Sequence, residues 1–331
     1  MPRRRNEPDY DKLLTSKLQA LMNVTPSVHN LELSDWAMIP ETATIIGGPQ
    51  FAGVTHLKLN AYEKVDYAFW IMPGFSALLS RLTHLTLLGK HFVVAFGTAL
   101  ARVQRPYLRD IDVWQPNALR AVVRAAGKGA LPGLRHLTLH EIGEETSVKV
   151  SEIMACTQIE SIKFKASSIF NKNEKQPSPS LVRALCKLPR LRILNIEVSW
   201  LAREAWKSAL QYATSLTDLR IDNGYSDDDT EDTGVMDLRG VLSGCAATLQ
   251  SLHLGQHTMF NTRDLANARA LKTISVQCYH LTTDDIRALV VLPALRELHV
   301  KSHWMEKGDS ARLIKQAMKC WARNVPYVLK D

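Results

Sequence analysis

The stretch that decides the fold is Leu134-Arg135-His136-Leu137-Thr138-Leu139. Apolar residues occupy its first, fourth and sixth positions, and polar residues fill the gaps. Alternation with a period of two is the mark of a strand with one face buried and the other in water. The same six-residue pattern begins at Val28, Val54, Leu82, Leu108, Ile159, Leu191, Leu216, Leu249, Leu271 and Leu295, giving eleven copies in all. The intervals run from 22 to 33 residues, with a mean of about 27. A three-position apolar pattern recurs by chance in a chain this rich in aliphatic residues, so the gaps carry the argument. Of 33 gap positions, 32 are polar or charged, and Ile193 is the one exception.

Between these segments lie amphipathic stretches such as VVAFGTALARV, NALRAVVRAA, SVKVSEIMA, SLVRALCKL and DIRALVVL. Their apolar residues recur every three or four positions, which predicts helices with an inward stripe. One strand and one helix cannot bury a core alone, whereas stacked copies can.

These residues resemble the leucine-rich repeat, L-x-x-L-x-L followed by a returning helix. The resemblance runs from Val28 to the C-terminus. It implies an α/β leucine-rich-repeat solenoid of the ribonuclease-inhibitor-like kind: a horseshoe of about eleven strand–helix repeats, with a parallel concave sheet and convex helices. The family's Asn or Cys at the ninth position is absent from every copy, and residues such as Trp36, Tyr62, Lys90 and Pro116 stand there instead. An asparagine ladder is therefore missing, and the strand-to-helix turns must close irregularly. The tenth copy, together with Cys156 at a helix end, is similar to the cysteine-containing repeats of fungal F-box/leucine-rich-repeat proteins. That similarity implies substrate recognition for ubiquitination. Only 27 residues precede the first copy, however, and no F-box is recognisable in them. Either the function is binding alone, or the F-box has been lost upstream.

The domain reading is an N-terminal helical cap over 1–27, a single repeat solenoid over 28–305 and a C-terminal cap over 306–331. The caps rest on the amphipathic segments 9–24 and 306–325, with a partial twelfth strand near 325–329. Two long intervals place extra loops at 166–180 and 222–234, both directly after a strand and so on one rim.

The chain has 331 residues and a net charge of +8, yet Asp227, Asp228, Asp229, Glu231 and Asp232 put −5 in one loop and leave +13 elsewhere. Residues 101–135 hold seven basic and two acidic residues. Such a balance suits nucleic acid, anionic lipid or an acidic protein. No apolar run approaches the roughly 18 residues of a membrane span. Five dispersed cysteines argue against a secreted disulfide framework and for a cytoplasmic or nuclear protein. With an aromatic content of 7%, the core is expected to be aliphatic ladders.

No chemistry assembles from the motifs. His136 with His140, and His299 with His303, stand four apart on extended segments, about 13 Å, too far for shared metal ligation. The glycines of GKGALPG follow a helix, the reverse of a phosphate loop, and Gly127 reads as a helix C-cap. GFSAL around Ser76 lacks the second glycine of a nucleophile elbow. The reading is a non-enzymatic, cofactor-free and monomeric module that binds a protein partner.

Positions three, five and seven of each copy project to the concave side. They place His56, Lys58, His84, Leu88, Asp110, Asp112, Trp114, His136, His140, Lys163 and Lys165 in one candidate partner-binding patch centred on Trp114. Asp218, Arg220, Asp222, His253 and His299 form a secondary set. Crowding of His56, His84, His136 and His140 predicts pH-sensitive binding near pH 6. Arg120, Arg124 and Lys128 form a basic ridge on a convex helix face. The competing reading is a basic solenoid for nucleic acid or anionic lipid, disfavoured because no aromatics interleave with the ridge.

Overall fold

Each copy of the pattern forms a short strand, and the apolar positions turn inward. The computed structural model describes residues 28–89, 91–92, 94–102, 104–140, 148–165, 178–197, 204–222, 235–255, 259–277, 285, 288–289 and 291–301, with residues 16 and 20. The caps and most of both long loops fall outside the described residues, as does the turn into the helix expected near 286. The chain divides into two compact units, Met1–Ile159 and Glu160–Asp331.

In the first unit, β1 (Asn30–Ser34), β2 (His56–Asn60), β3 (His84–Leu88), β4 (Asp110–Val113) and β5 (His136–His140) lie side by side, parallel and in chain order. Leu57, Leu59, Leu85, Leu87, Ile111, Val113, Leu137 and Leu139 are buried at 2% exposure or less. The helices are α1 (Pro40–Ile46), α2 (Tyr67–Ile71), α3 (Pro73–Arg81), α4 (Val94–Arg102), α5 (Pro116–Gly127) and α6 (Val150–Met154). Proline opens α1, α3 and α5. There its fixed φ suits the helix, and the missing N–H would have had no partner anyway. At α2 the Asp66 carboxylate accepts from Ala68 N instead.

The second unit holds β6 (Ser161–Lys165), α7 (Pro179–Cys186), β7 (Ile193–Glu197), α8 (Glu204–Leu210), β8 (Asp218–Asp222), β9 (Val235–Met236), α9 (Leu238–Leu242), β10 (Ser251–Leu254), β11 (Met259–Phe260), β12 (Thr273–Gln277) and β13 (Glu297–Lys301). Its repeat strands are again parallel and in register, while β9 and β11 form a separate small pair. The shortest interval, between Leu249 and Leu271, carries a 3-10 helix at Thr262–Asn267 rather than an α-helix. A 3-10 helix rises about 2.0 Å per residue, so it covers the return path with fewer residues. Both units show the α/β leucine-rich-repeat architecture expected from the pattern.

One backbone device recurs at the strand starts. The amides of positions two and three both donate to the position-two carbonyl of the preceding strand. Thr55 and His56 share His29 O at 3.0 Å each; Thr83 and His84 share Thr55 O at 2.8 and 3.1 Å. In the second unit, Thr217 and Asp218 share Arg192 O at 2.8 and 2.9 Å, and Gln250 and Ser251 share Thr217 O at 2.8 and 2.9 Å.

Strand ends are irregular, as the missing asparagines require. Ala61 N donates to Leu88 O at 2.7 Å, His91 N to Ala61 O at 3.0 Å and Glu63 N to the Asp35 carboxylate at 3.0 Å. Gly89 turns the chain at φ +95°, and a Cβ there would fall 2.4 Å from the Ala61 carbonyl.

Two expectations need correcting. The core of the first unit is not wholly aliphatic: Phe69, Trp70, Phe75, Phe92 and Phe96 are buried together. Trp70 meets Phe69 and Phe96 edge-on at 5.1 and 5.2 Å between centroids. Two helices, α2 and α3, share one connection here, and large rings fill the volume they enclose with α4. The left-handed residue after α5 is Gly129 (φ +75°) rather than Gly127. Gly127 is still helical, and its place is explained by close packing, since a Cβ would sit 3.2 Å from Ala155 Cβ.

Candidate functional site

Inward burial of positions four and six leaves positions three, five and seven facing out. Parallel in-register pairing then turns each position into a column. In the first unit, position three reads Asn30, His56, His84, Asp110, His136, and position five reads Glu32, Lys58, Thr86, Asp112, Thr138. Position seven runs from Ser34 through Asn60 to Leu88. Trp114 and His140 occupy position seven of the next two copies.

The columns are tied together by side-chain contacts. The His56 and His84 rings stack with centroids 4.0 Å apart and planes 10° apart. Thr55 Oγ1 lies 2.9 Å from His56 Nδ1, and Thr83 Oγ1 lies 2.8 Å from His84 Nδ1, so each ring is held by the residue before it. His84 Nε2 meets Asp110 Oδ2 at 3.0 Å. Burial holds the His56 pKa below its ordinary 6.5, and the adjacent His84 adds to the depression; Asp110 opposes it and His29 reinforces it. Lys58 Nζ pairs with Glu32 Oε1 at 3.0 Å, and Asn60 donates to the same oxygen at 2.6 Å. The hydrogen bonds from Lys58 and Asn60 keep Glu32 below the usual carboxylate range.

At the other end of the face, the Trp114 backbone amide donates to Leu87 O at 3.1 Å, which fixes the main chain just past β4. His140 lies flat against it, 3.9 Å between centroids and 11° between planes. His140 is buried, Trp114 is half-buried, and Leu88 is half-buried on β3. Asp112, two residues before Trp114 and on the same face, has no side-chain partner among the described residues.

In the second unit the candidate charges mostly satisfy one another. Asp218 pairs with Arg220 at 3.2 Å, Asp222 with His253 at 3.6 Å and Glu297 with His299 at 3.7 Å. Lys163 and Lys165 stand exposed on β6. His136 lies beside Asp110 in register.

The convex basic ridge is thinner than its sequence suggests, because Arg124 Nε is bound to Glu152 Oε1 at 2.8 Å. Sequence reasoning passed over five exposed aromatics, Trp36, Tyr62, Tyr67, Tyr107 and Tyr212. The first two stand at the ninth position, so the signal was present as a departure from the family pattern. Cys156, Cys186 and Cys245 are free and buried, with pKa values pushed up to about 12 by burial. Among the described residues no three His, Cys, Asp or Glu side chains converge on a metal position, and no helix is long and apolar enough to cross a membrane.

Neither a family model nor a curated protein matches the sequence. Among solved structures, the chain is similar to the leucine-rich repeat-containing protein LegL7 from Legionella pneumophila, with a TM-score of 0.50 and 14% identity over 90% of this chain and 100% of that one. A second match is the Toll–Spatzle complex of Drosophila, with a TM-score of 0.26 and 9% identity over 86% of this chain and 56% of that one. The strands, their register and the likeness to LegL7 establish the fold: this chain is built on leucine-rich repeats.

Proposed function

We propose that the protein is a binding module that takes a protein partner on the outward strand face of its first unit, with Trp114 as the central contact. The observation that carries this reading is the Trp114–His140 stack: a half-exposed indole held flat by a buried ring and anchored by its own backbone amide. Fixed aromatics of this kind lose little entropy on binding and dominate interface energetics. The polar columns around it supply the rim. A role in recognising substrates for ubiquitination is the finer form of the reading, supported by the resemblance of the tenth copy to F-box-associated repeats. Free, buried cysteines support a cytoplasmic or nuclear setting.

The test is affinity capture with wild type and Trp114→Ala, compared at matched folded concentration. Loss of specific partners from the variant is the expected result. An unchanged partner set removes the face from consideration.

A further inference from the structure

The chain is basic overall, but this face is not. Across positions three, five and seven of the first unit, Lys58 is the lone lysine or arginine against Glu32, Asp110 and Asp112, beside the four histidines His56, His84, His136 and His140. The Lys58 charge is already taken up by Glu32, and Asp110 is engaged with His84. That leaves Asp112, whose carboxylate has no partner among the described residues, beside an indole with one side covered by His140. A carboxylate two residues before an aromatic ring on one strand face, with the aliphatic Leu88 at the same position as that ring on the preceding strand, is the chemistry that receives a cation on an alkyl stem. The ring quadrupole attracts the charge, the carboxylate pairs with it, and apolar surface takes the stem.

We infer that the partner docks through an arginine or lysine side chain placed between Trp114 and Asp112. This rests on the binding reading above and names its chemistry: a cationic protein segment, where net charge alone pointed to an acidic one. Local charge decides at contact distance, because exposed charges more than about 10 Å away are screened at physiological salt. An anionic polymer would meet Asp112 and Asp110 at the same place and be repelled.

The experiment follows the indole N–H signals of the ¹⁵N-labelled full chain, with Trp114 assigned by Trp114→Phe. The probes are acetyl-Gly-Gly-Arg-Gly-Gly-amide, its citrulline counterpart of equal shape without charge, and its glutamate counterpart. The arginine peptide is expected to shift the Trp114 signal, with affinity about tenfold above the citrulline peptide and about tenfold weaker in Asp112→Asn. Equal binding of arginine and citrulline peptides, wild-type affinity in Asp112→Asn, or a larger response to the glutamate peptide or a single-stranded oligonucleotide would overturn it. Asp112→Asn is isosteric at a half-buried position without a side-chain partner among the described residues, so its thermal melt should match wild type and keep the comparison valid. If Trp114→Ala loses captured proteins while Asp112→Asn retains them in about 0.5 M salt, the face stands and the cationic anchor falls. If Trp114→Ala retains them all, the face itself is wrong.

Discussion

The buried His140 ring supports the half-exposed Trp114 ring at 3.9 Å between centroids, so the residue that shapes the face is not the residue that presents it. His140→Ala should therefore cost about 2 kcal/mol in urea unfolding, from the lost ring pair and the cavity beneath the indole. It should also weaken partner capture without removing any presented group. A variant as stable as wild type would show that the indole is held by its backbone alone.

His56 sets an acid limit on the first unit. Its folded pKa is depressed below 6.5, so the unfolded chain binds a proton there more readily than the folded one. Its effect on stability is absent above pH 6.5 and grows unfavourable as pH falls below it, levelling off under the folded pKa. Glu32, also depressed, contributes stability that is lost as pH falls below its ordinary 4.5. Urea midpoints measured from pH 8 to pH 5 should fall in wild type and fall less in His56→Gln. Parallel curves would refute the assignment.

The aromatic cluster and the exposed aromatics should respond in opposite ways. Trp70 is 1% exposed among four phenylalanines, and Trp70→Ala should cost about 3–5 kcal/mol. Tyr62, at 58% exposure, should change stability by less than about 0.5 kcal/mol when replaced by Ala. Calorimetry of the two variants against wild type makes the comparison.

The buried thiols should be silent. With pKa values near 12 and no exposure, Cys156, Cys186 and Cys245 hold almost no thiolate at pH 8. Titration with a chromogenic disulfide should find at most two of the five cysteines reactive in the native protein and all five in guanidinium. Three or more fast native thiols would contradict the burial.

Much of this was legible in the sequence because a period of two is a geometric signal. Leu57 and Leu59 had to point one way once His56, Lys58 and Asn60 pointed the other. Helix starts were legible less directly, although Pro40, Pro73, Pro116 and Pro179 all open helices. What stayed hidden depends on neighbours across repeats. Nothing local in Thr55 or Thr83 says that each orients a histidine, or that Lys58 is neutralised by Glu32 from 26 residues earlier. The aromatic core was hidden because the hydrophobic pattern of α2 and α3 specifies an inward stripe without specifying what fills it. The charge of this one face was not legible in the total, because net charge averages over surfaces that never meet one ligand.

The doubled amides at the strand starts have a consequence for how such a chain can change. Within each unit, every repeat strand after the first is re-phased against its predecessor at a single carbonyl, whether about 22 or about 33 residues have intervened. Material added after a strand leaves the outward columns aligned, whereas one residue added between positions one and three inverts that strand's two faces. Phase and length are thereby separate variables, one locked and one free.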